Sequence, residues 1–133
     1  MNSKIGHLVF SIDMKNAAFY RDLLAFLGWQ VLYEAPEMLG MGANHTSIWF
    51  GAAPNATKND YDSPGLNHFA LNTDTQADVD ATVAYLKERN VAALFETPRH
   101  RPEFSGEGST YYQVMFETPD RILVEVVYTG PKQ

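Results

Sequence analysis

The sequence predicts an α+β fold made of two β-α-β-β-β modules, and three observations carry that prediction. Gly6-His7-Leu8-Val9-Phe10-Ser11-Ile12-Asp13 and Asn67-His68-Phe69-Ala70-Leu71-Asn72-Thr73-Asp74 share one build, with a histidine second and an aspartate six residues after it. Each octet runs into a stretch of helical apolar spacing that stops at a helix-ending residue, Gly28 or Asn90. Short β-type runs follow each helix. Such self-similarity, about sixty residues apart, marks a duplicated module. Pairing the modules would bring two imidazoles together, since the histidine holds the same place in both.

The elements follow in order. Lys4–Ile12 alternates as a strand, with Leu8, Phe10 and Ile12 on one face and His7, Val9 and Ser11 on the other. Asp13 is the expected N-cap of a helix whose stripe is Phe19, Leu23, Phe26 and Leu27. Gly28 ends it, because glycine takes the left-handed conformation cheaply. Strands are predicted at Trp29–Tyr33, Met38–Met41 and Thr46–Phe50. Pro54–Gly65 is polar and rich in turn formers, and reads as a linker.

The second module repeats the order. Leu66–Thr73 is a strand, and Thr75 with Asp78 makes a capping box. Val79, Val83 and Leu86 form the buried stripe of the second helix. Val91–Phe95 is a strand, followed by an irregular segment, Thr97–Gly108. Ser109–Glu117 and Ile122–Tyr128 form the last hairpin, turned by Pro119-Asp120-Arg121. The 133 residues therefore read as a single domain, with module one at 4–53, a linker at 54–65 and module two at 66–129.

Composition narrows the function. At 45% hydrophobic the chain can build a core, so disorder is not expected. A net charge of −6 argues against a nucleic-acid partner, which needs a basic surface. There is no cysteine, which excludes disulfides and thiol chemistry. Neither a signal peptide nor the roughly 20 apolar residues of a membrane span is read, so a cytoplasmic protein is expected.

Glu125 is the odd residue of the last strand, a carboxylate between Val124 and Val126. A buried carboxylate is costly unless it is paired, hydrogen-bonded or bound to a metal. Two histidines at matching positions plus one such carboxylate supply a 2-His-1-carboxylate set, which leaves open positions on a divalent metal.

The Gly-His-Leu-Val-Phe opening, the Asn-His-Phe-Ala-Leu midpoint and the ending Thr118-Pro119-Asp120-Arg121-Ile122-Leu123-Val124-Glu125 resemble the vicinal oxygen chelate superfamily over nearly the whole chain. That superfamily includes glyoxalase I, extradiol dioxygenases, and fosfomycin- and bleomycin-resistance proteins. The resemblance implies a curved, barrel-like sheet with helices outside and a divalent metal (Fe, Mn, Zn, Ni or Co) on His7, His68 and Glu125. It also implies a homodimer and a small-molecule substrate that chelates the metal through vicinal oxygens, in a reaction of lyase, isomerase or ring-cleaving dioxygenase type. The alternative is a metal-free protein that sequesters a small molecule, of the bleomycin-resistance sort.

Two departures stand out. Glyoxalase I-like members carry a fourth ligand where the repeat here puts Trp49, which cannot ligate. Extradiol dioxygenases place a tyrosine where this chain has Met115. Trp49, Met115, Tyr111 and Tyr112 are the expected pocket walls. Arg99 and Arg101 could clamp an anionic substrate, the alternative being a solvated basic loop.

Overall fold

The computed structural model describes all 133 residues. The chain falls into two compact units, Met1–Lys58 and Asn59–Gln133, which divide inside the predicted linker. In the first unit, β1 (His7–Ile12) leads through a short 3-10 turn (Met14–Asn16) into α1 (Ala17–Phe26), followed by β2 (Gln30–Ala35), β3 (Met38–Ala43) and β4 (Thr46–Ala52). Its sheet has the order β1-β4-β3-β2, with β1 parallel to β4 and the other pairs antiparallel. The second unit runs β5 (Phe69–Thr73), α2 (Gln76–Glu88), β6 (Leu94–His100), β7 (Ser109–Glu117) and β8 (Leu123–Pro131). Its sheet order, β5-β8-β7-β6, is the same topology again, with β5 parallel to β8.

The repeat is in register at the level of single residues. Val9, two residues after His7, pairs with Trp49, and Ala70, two residues after His68, pairs with Glu125. Trp49 is therefore the structural counterpart of Glu125. The two histidines differ in one respect: His7 begins β1 and pairs with Ser47, whereas β5 starts only at Phe69, leaving His68 just ahead of it.

Each sheet buries one face under its helix. In the first unit Ile12, Leu39, Met41, Ile48 and Phe50 are buried, as are Tyr20, Leu23 and Leu24 of α1. The ring of Phe50 lies 5.6 Å from that of Phe10 and 4.5 Å from that of Tyr20. The helix thus turns Tyr20 and Leu24 inward rather than Phe26, which is 44% exposed and outside the stripe expected for it. Asp13 accepts from the Lys15 amide, so it caps the 3-10 turn and not α1 itself. Gly28 (φ +92°) and Asn90 (φ +58°) close their helices in the left-handed conformation.

In the second unit α2 packs on β7 and β8. Val79, Leu86, Val114, Phe116, Val124 and Val126 are all 2% exposed or less. The predicted capping box is formed: the Asp78 amide donates to Thr75 Oγ1 (3.2 Å) and the Thr75 amide to Asp78 Oδ2 (3.0 Å). The strand expected at Val91–Phe95 lies later, at Leu94–His100, and its pairing with β7 shifts register between Leu94 and Arg99. The cause is local. Phe95 and Glu96 both have positive φ, which kinks the strand and scrambles the alternation from which it was read.

Candidate functional site

Period-two alternation decides what β7 and β8 present on the face away from α2. Leu123, Glu125 and Val127 share that face of β8, and Tyr111, Gln113 and Met115 share it on β7, with Glu125 directly opposite Met115. Glu125 is 2% exposed, yet it sits among partners rather than hydrocarbon alone. Its Oε1 accepts from Gln113 Nε2 (2.8 Å) and from the Tyr111 hydroxyl. Gln113 Oε1 in turn accepts from Arg101 Nη1 (3.0 Å), which fixes the amide's orientation and links Glu125 to a cation through one side chain. Burial, helped by the bond to Glu125, pushes the Tyr111 phenol up to about 12. It therefore acts as a neutral donor throughout the physiological range.

The other carboxylate oxygen, Oε2, lies 3.0 Å from His68 Nε2. The opposite ring nitrogen, Nδ1, is 2.7 Å from Asn67 Oδ1. Asn67 Nδ2 donates to the Tyr61 carbonyl (3.1 Å), so the amide has only one satisfying orientation and Oδ1 must face the imidazole. His68 Nδ1 therefore carries a hydrogen. Nε2 then faces a carboxylate oxygen, and two electron-rich atoms at that separation require a proton or a cation between them.

The segment that supplies Tyr61 is itself tied down. Arg121, in the left-handed conformation (φ +60°) at the β7–β8 turn, pairs with Asp60 (3.2 Å), Asp62 (3.1 Å) and Glu117 (3.3 Å) and covers the Tyr61 ring at 4.2 Å. Asn59 Nδ2 adds a bond to the Arg121 carbonyl (3.2 Å). Tyr61 packs against Met115 and Leu123 as a small apolar cluster beneath the polar groups. These residues line a cleft of about 690 Å³ in the second unit, with Arg101, Phe95, Phe104 and Asp62 completing its wall.

The expected site residues separate cleanly. His68, Glu125, Tyr111, Met115 and Arg101 share the cleft. Tyr112 does not, because neighbours in a strand point to opposite faces. Its hydroxyl donates to Asp80 Oδ1 on α2 (2.7 Å) and its ring lies 4.6 Å from that of His100. Arg99 is also outside the lining, with its guanidinium 3.6 Å from Glu96. His7 and Trp49 belong to the first unit, on the face of its sheet that α1 does not cover. There the Trp49 ring lies over Gly40, where a Cβ would come within 2.5 Å of it, and Trp49 Nε1 donates to Ser47 Oγ (2.9 Å). No group of three His, Cys, Asp or Glu side chains is arranged to hold a metal. Asn67, Gln113, Tyr61, Phe95 and Phe104 were not foreseen. Gln113 could have been, since it lies two residues from both Tyr111 and Met115.

The Tyr112 bond has a pH signature. Burial, reinforced by the Asp80 carboxylate, moves this phenol from its usual 10 to about 12. A raised value means that the folded state holds the proton more tightly. The contribution should be complete below about pH 10 and vanish as pH rises through 12. Urea unfolding of the parent and Tyr112→Phe from pH 8 upward checks this: the stability gap should narrow above pH 10, and a constant gap would refute it.

An open sheet presenting an imidazole and a buried carboxylate, repeated in topology by a second unit, defines a class. Residues 4–126 match the family described as Glyoxalase/Bleomycin resistance protein/Dioxygenase superfamily, and the chain belongs to that superfamily. A glyoxalase-like protein from Bacillus halodurans is similar in structure, with a TM-score of 0.80 and 26% identity over 96% of both chains. Lactoylglutathione lyase from Agrobacterium tumefaciens shares the fold, with a TM-score of 0.65 and 19% identity over 96% of this chain and 94% of that one. The uncharacterized protein YqjT of Bacillus subtilis strain 168 is 38% identical over 63 residues, which are 47% of this chain and 46% of YqjT. The match thus spans about half the length of that relative. No helix is long and apolar enough to cross a membrane.

Proposed function

We propose that the chain is a metal-dependent enzyme of the superfamily that takes a small substrate with two neighbouring oxygens into the cleft of the second unit. The reaction would be of lyase, isomerase or ring-cleaving dioxygenase type. The observation that carries this reading is the facing pair His68 Nε2 and Glu125 Oε2, 3.0 Å apart, with every other polar atom of both side chains already engaged. Asn67 fixes the imidazole so that its Nε2 faces Glu125, and Tyr111 with Gln113 engages Oε1, so that Oε2 is left to face the imidazole. One nitrogen and one carboxylate oxygen suit a divalent ion such as Fe, Mn, Zn, Ni or Co. His7 is the third ligand in this proposal, by its matching place in the repeat, whether from the same chain or from a second copy in a homodimer. When bound, such an ion supplies Lewis-acid chemistry to a substrate oxygen. The chain's own groups orient the substrate: Arg101, already paired with Glu103 and Gln113, offers its remaining guanidinium hydrogens, Tyr111 a neutral donor, and Tyr61, Met115 and Leu123 an apolar floor.

A second reading, a metal-free protein that sequesters a small molecule in the same cleft, draws on the complete hydrogen-bonding of Glu125 by protein groups. Metal titration separates the two. The parent should take up a divalent ion in competition with a chelator, and Glu125→Gln should lose that uptake. Asn67→Ala should weaken it by roughly 10–100-fold, the usual cost of freeing a ligating imidazole. Equal metal uptake by parent and Glu125→Gln would sink the metal-dependent reading.

A further inference from the structure

Two adjacent residues at the wall of the cleft hold a backbone conformation that their side chains disfavour. Phe95 (φ +57°) and Glu96 (φ +61°) both lie in the left-handed region, just after the start of β6. For a bulky side chain this is an outlier, and it persists only where the surrounding fold over-determines it. The ladder to β7 slips at that point, where Thr97 Oγ1 bridges the break by accepting from the Met115 amide (3.0 Å) and donating to the Leu94 carbonyl (2.7 Å), and the Phe95 ring is left 50% exposed. Those bonds do not involve the Phe95 side chain, which the kink places in the cleft wall. Phe104, 57% exposed, lines the same cleft, with its ring edge-on to Tyr111 at 5.4 Å and under the Arg101 guanidinium at 4.7 Å.

The cleft therefore carries two half-exposed aromatic rings in addition to its polar end at His68 and Glu125. Aromatic surface held in water at the wall of a concave site is surface reserved for a ligand. We propose that Phe95 and Phe104 form a subsite for an aromatic ring, so that the ligand is an aromatic compound whose neighbouring oxygens engage the His68–Glu125 end. Phe95 is then a specificity-determining residue, and the strain at Phe95–Glu96 holds its ring out for that purpose. The inference rests on the cleft being the substrate site.

Phenylglyoxylate and pyruvate test it, because both carry the same 2-oxocarboxylate head and only the first carries a ring. Calorimetry on the full chain, with and without Mn²⁺, should show phenylglyoxylate binding more tightly by on the order of tenfold. Phe95→Gly should erase most of that preference and leave pyruvate binding unchanged. Its melting midpoint should hold or rise, since glycine adopts positive φ freely. Glu96→Gly, which relieves strain without touching the ring, should raise the midpoint by roughly 2–4 °C and keep the preference. The proposal is overturned if neither compound binds, if the parent shows no ring preference, or if the preference survives Phe95→Gly. A fall in the Phe95→Gly midpoint as large as that of a core substitution also overturns it, because the ring would then serve packing. Ring preference that is indifferent to Mn²⁺ and to Glu125→Gln sustains this inference while sinking the metal-dependent reading. Mn²⁺ uptake that depends on Glu125, without ring preference, does the reverse.

Discussion

Glu125→Ala is expected to lower folding stability by roughly 2–4 kcal/mol, because truncation strands partners that the fold has already desolvated. The Tyr111 hydroxyl, Gln113 Nε2 and His68 Nε2 all converge on this one carboxylate, which is 2% exposed. Removing it leaves two donors unpaired and a void on the cleft face of β8. Glu125→Gln should cost far less, about 1 kcal/mol, since its amide oxygen can still accept from Tyr111 and Gln113 while its NH₂ donates to His68. Urea denaturation of the three proteins checks the ordering. Equal losses in the two variants would mean that Tyr111 and Gln113 do not depend on Oε1. The comparison also protects the metal test above, because a folded Glu125→Gln makes its loss of ion uptake interpretable.

Phe50→Ala should cost roughly 3–5 kcal/mol, the usual range for emptying a buried aromatic site. Phe50 is 1% exposed and packs between Phe10 and Tyr20, so it joins β1, β4 and α1. The matched control is Phe26→Ala on α1, which should cost clearly less than Phe50→Ala because Phe26 is 44% exposed. Thermal or chemical unfolding of both variants would settle the phase of α1. A large loss at Phe26 would restore the stripe that the sequence pattern alone suggests.

That stripe shows where sequence reading stops. Phe19, Leu23, Phe26 and Leu27 have good helical spacing, but so do Tyr20, Leu23, Leu24 and Leu27, and α1 is apolar enough to offer both. Only contact with Phe50 chooses between them. The strand at Leu94–His100 fails for a different reason: positive φ at Phe95 and Glu96 is a tertiary imposition that neither side chain announces. The pocket wall shows a third kind of limit. Tyr111 and Tyr112 are adjacent, so one strand can aim only one of them at the cleft, and pairing with β8 decides that it is Tyr111. Arg99 and Arg101 part similarly, since Arg101 reaches Gln113 while Arg99 turns to Glu96.

What the sequence determined by itself is the duplication and its phase. Local patterns are enough for that: alternation for strands, Gly28 and Asn90 for helix ends, Thr75 with Asp78 for a cap, and a histidine and an aspartate at fixed offsets in each module. The alignment of Trp49 with Glu125 also follows from the repeat, and the parallel pairing of β1 with β4 and β5 with β8 reproduces it. Only the tertiary structure decided how the site works. The hydrogen on His68 Nδ1 depends on Asn67, whose orientation depends on the Tyr61 carbonyl, which the Arg121 clamp positions from sixty residues away in the chain. Hydrogen bonds of that kind join segments with no pattern in common, and their geometry exists only once the backbone has closed around them.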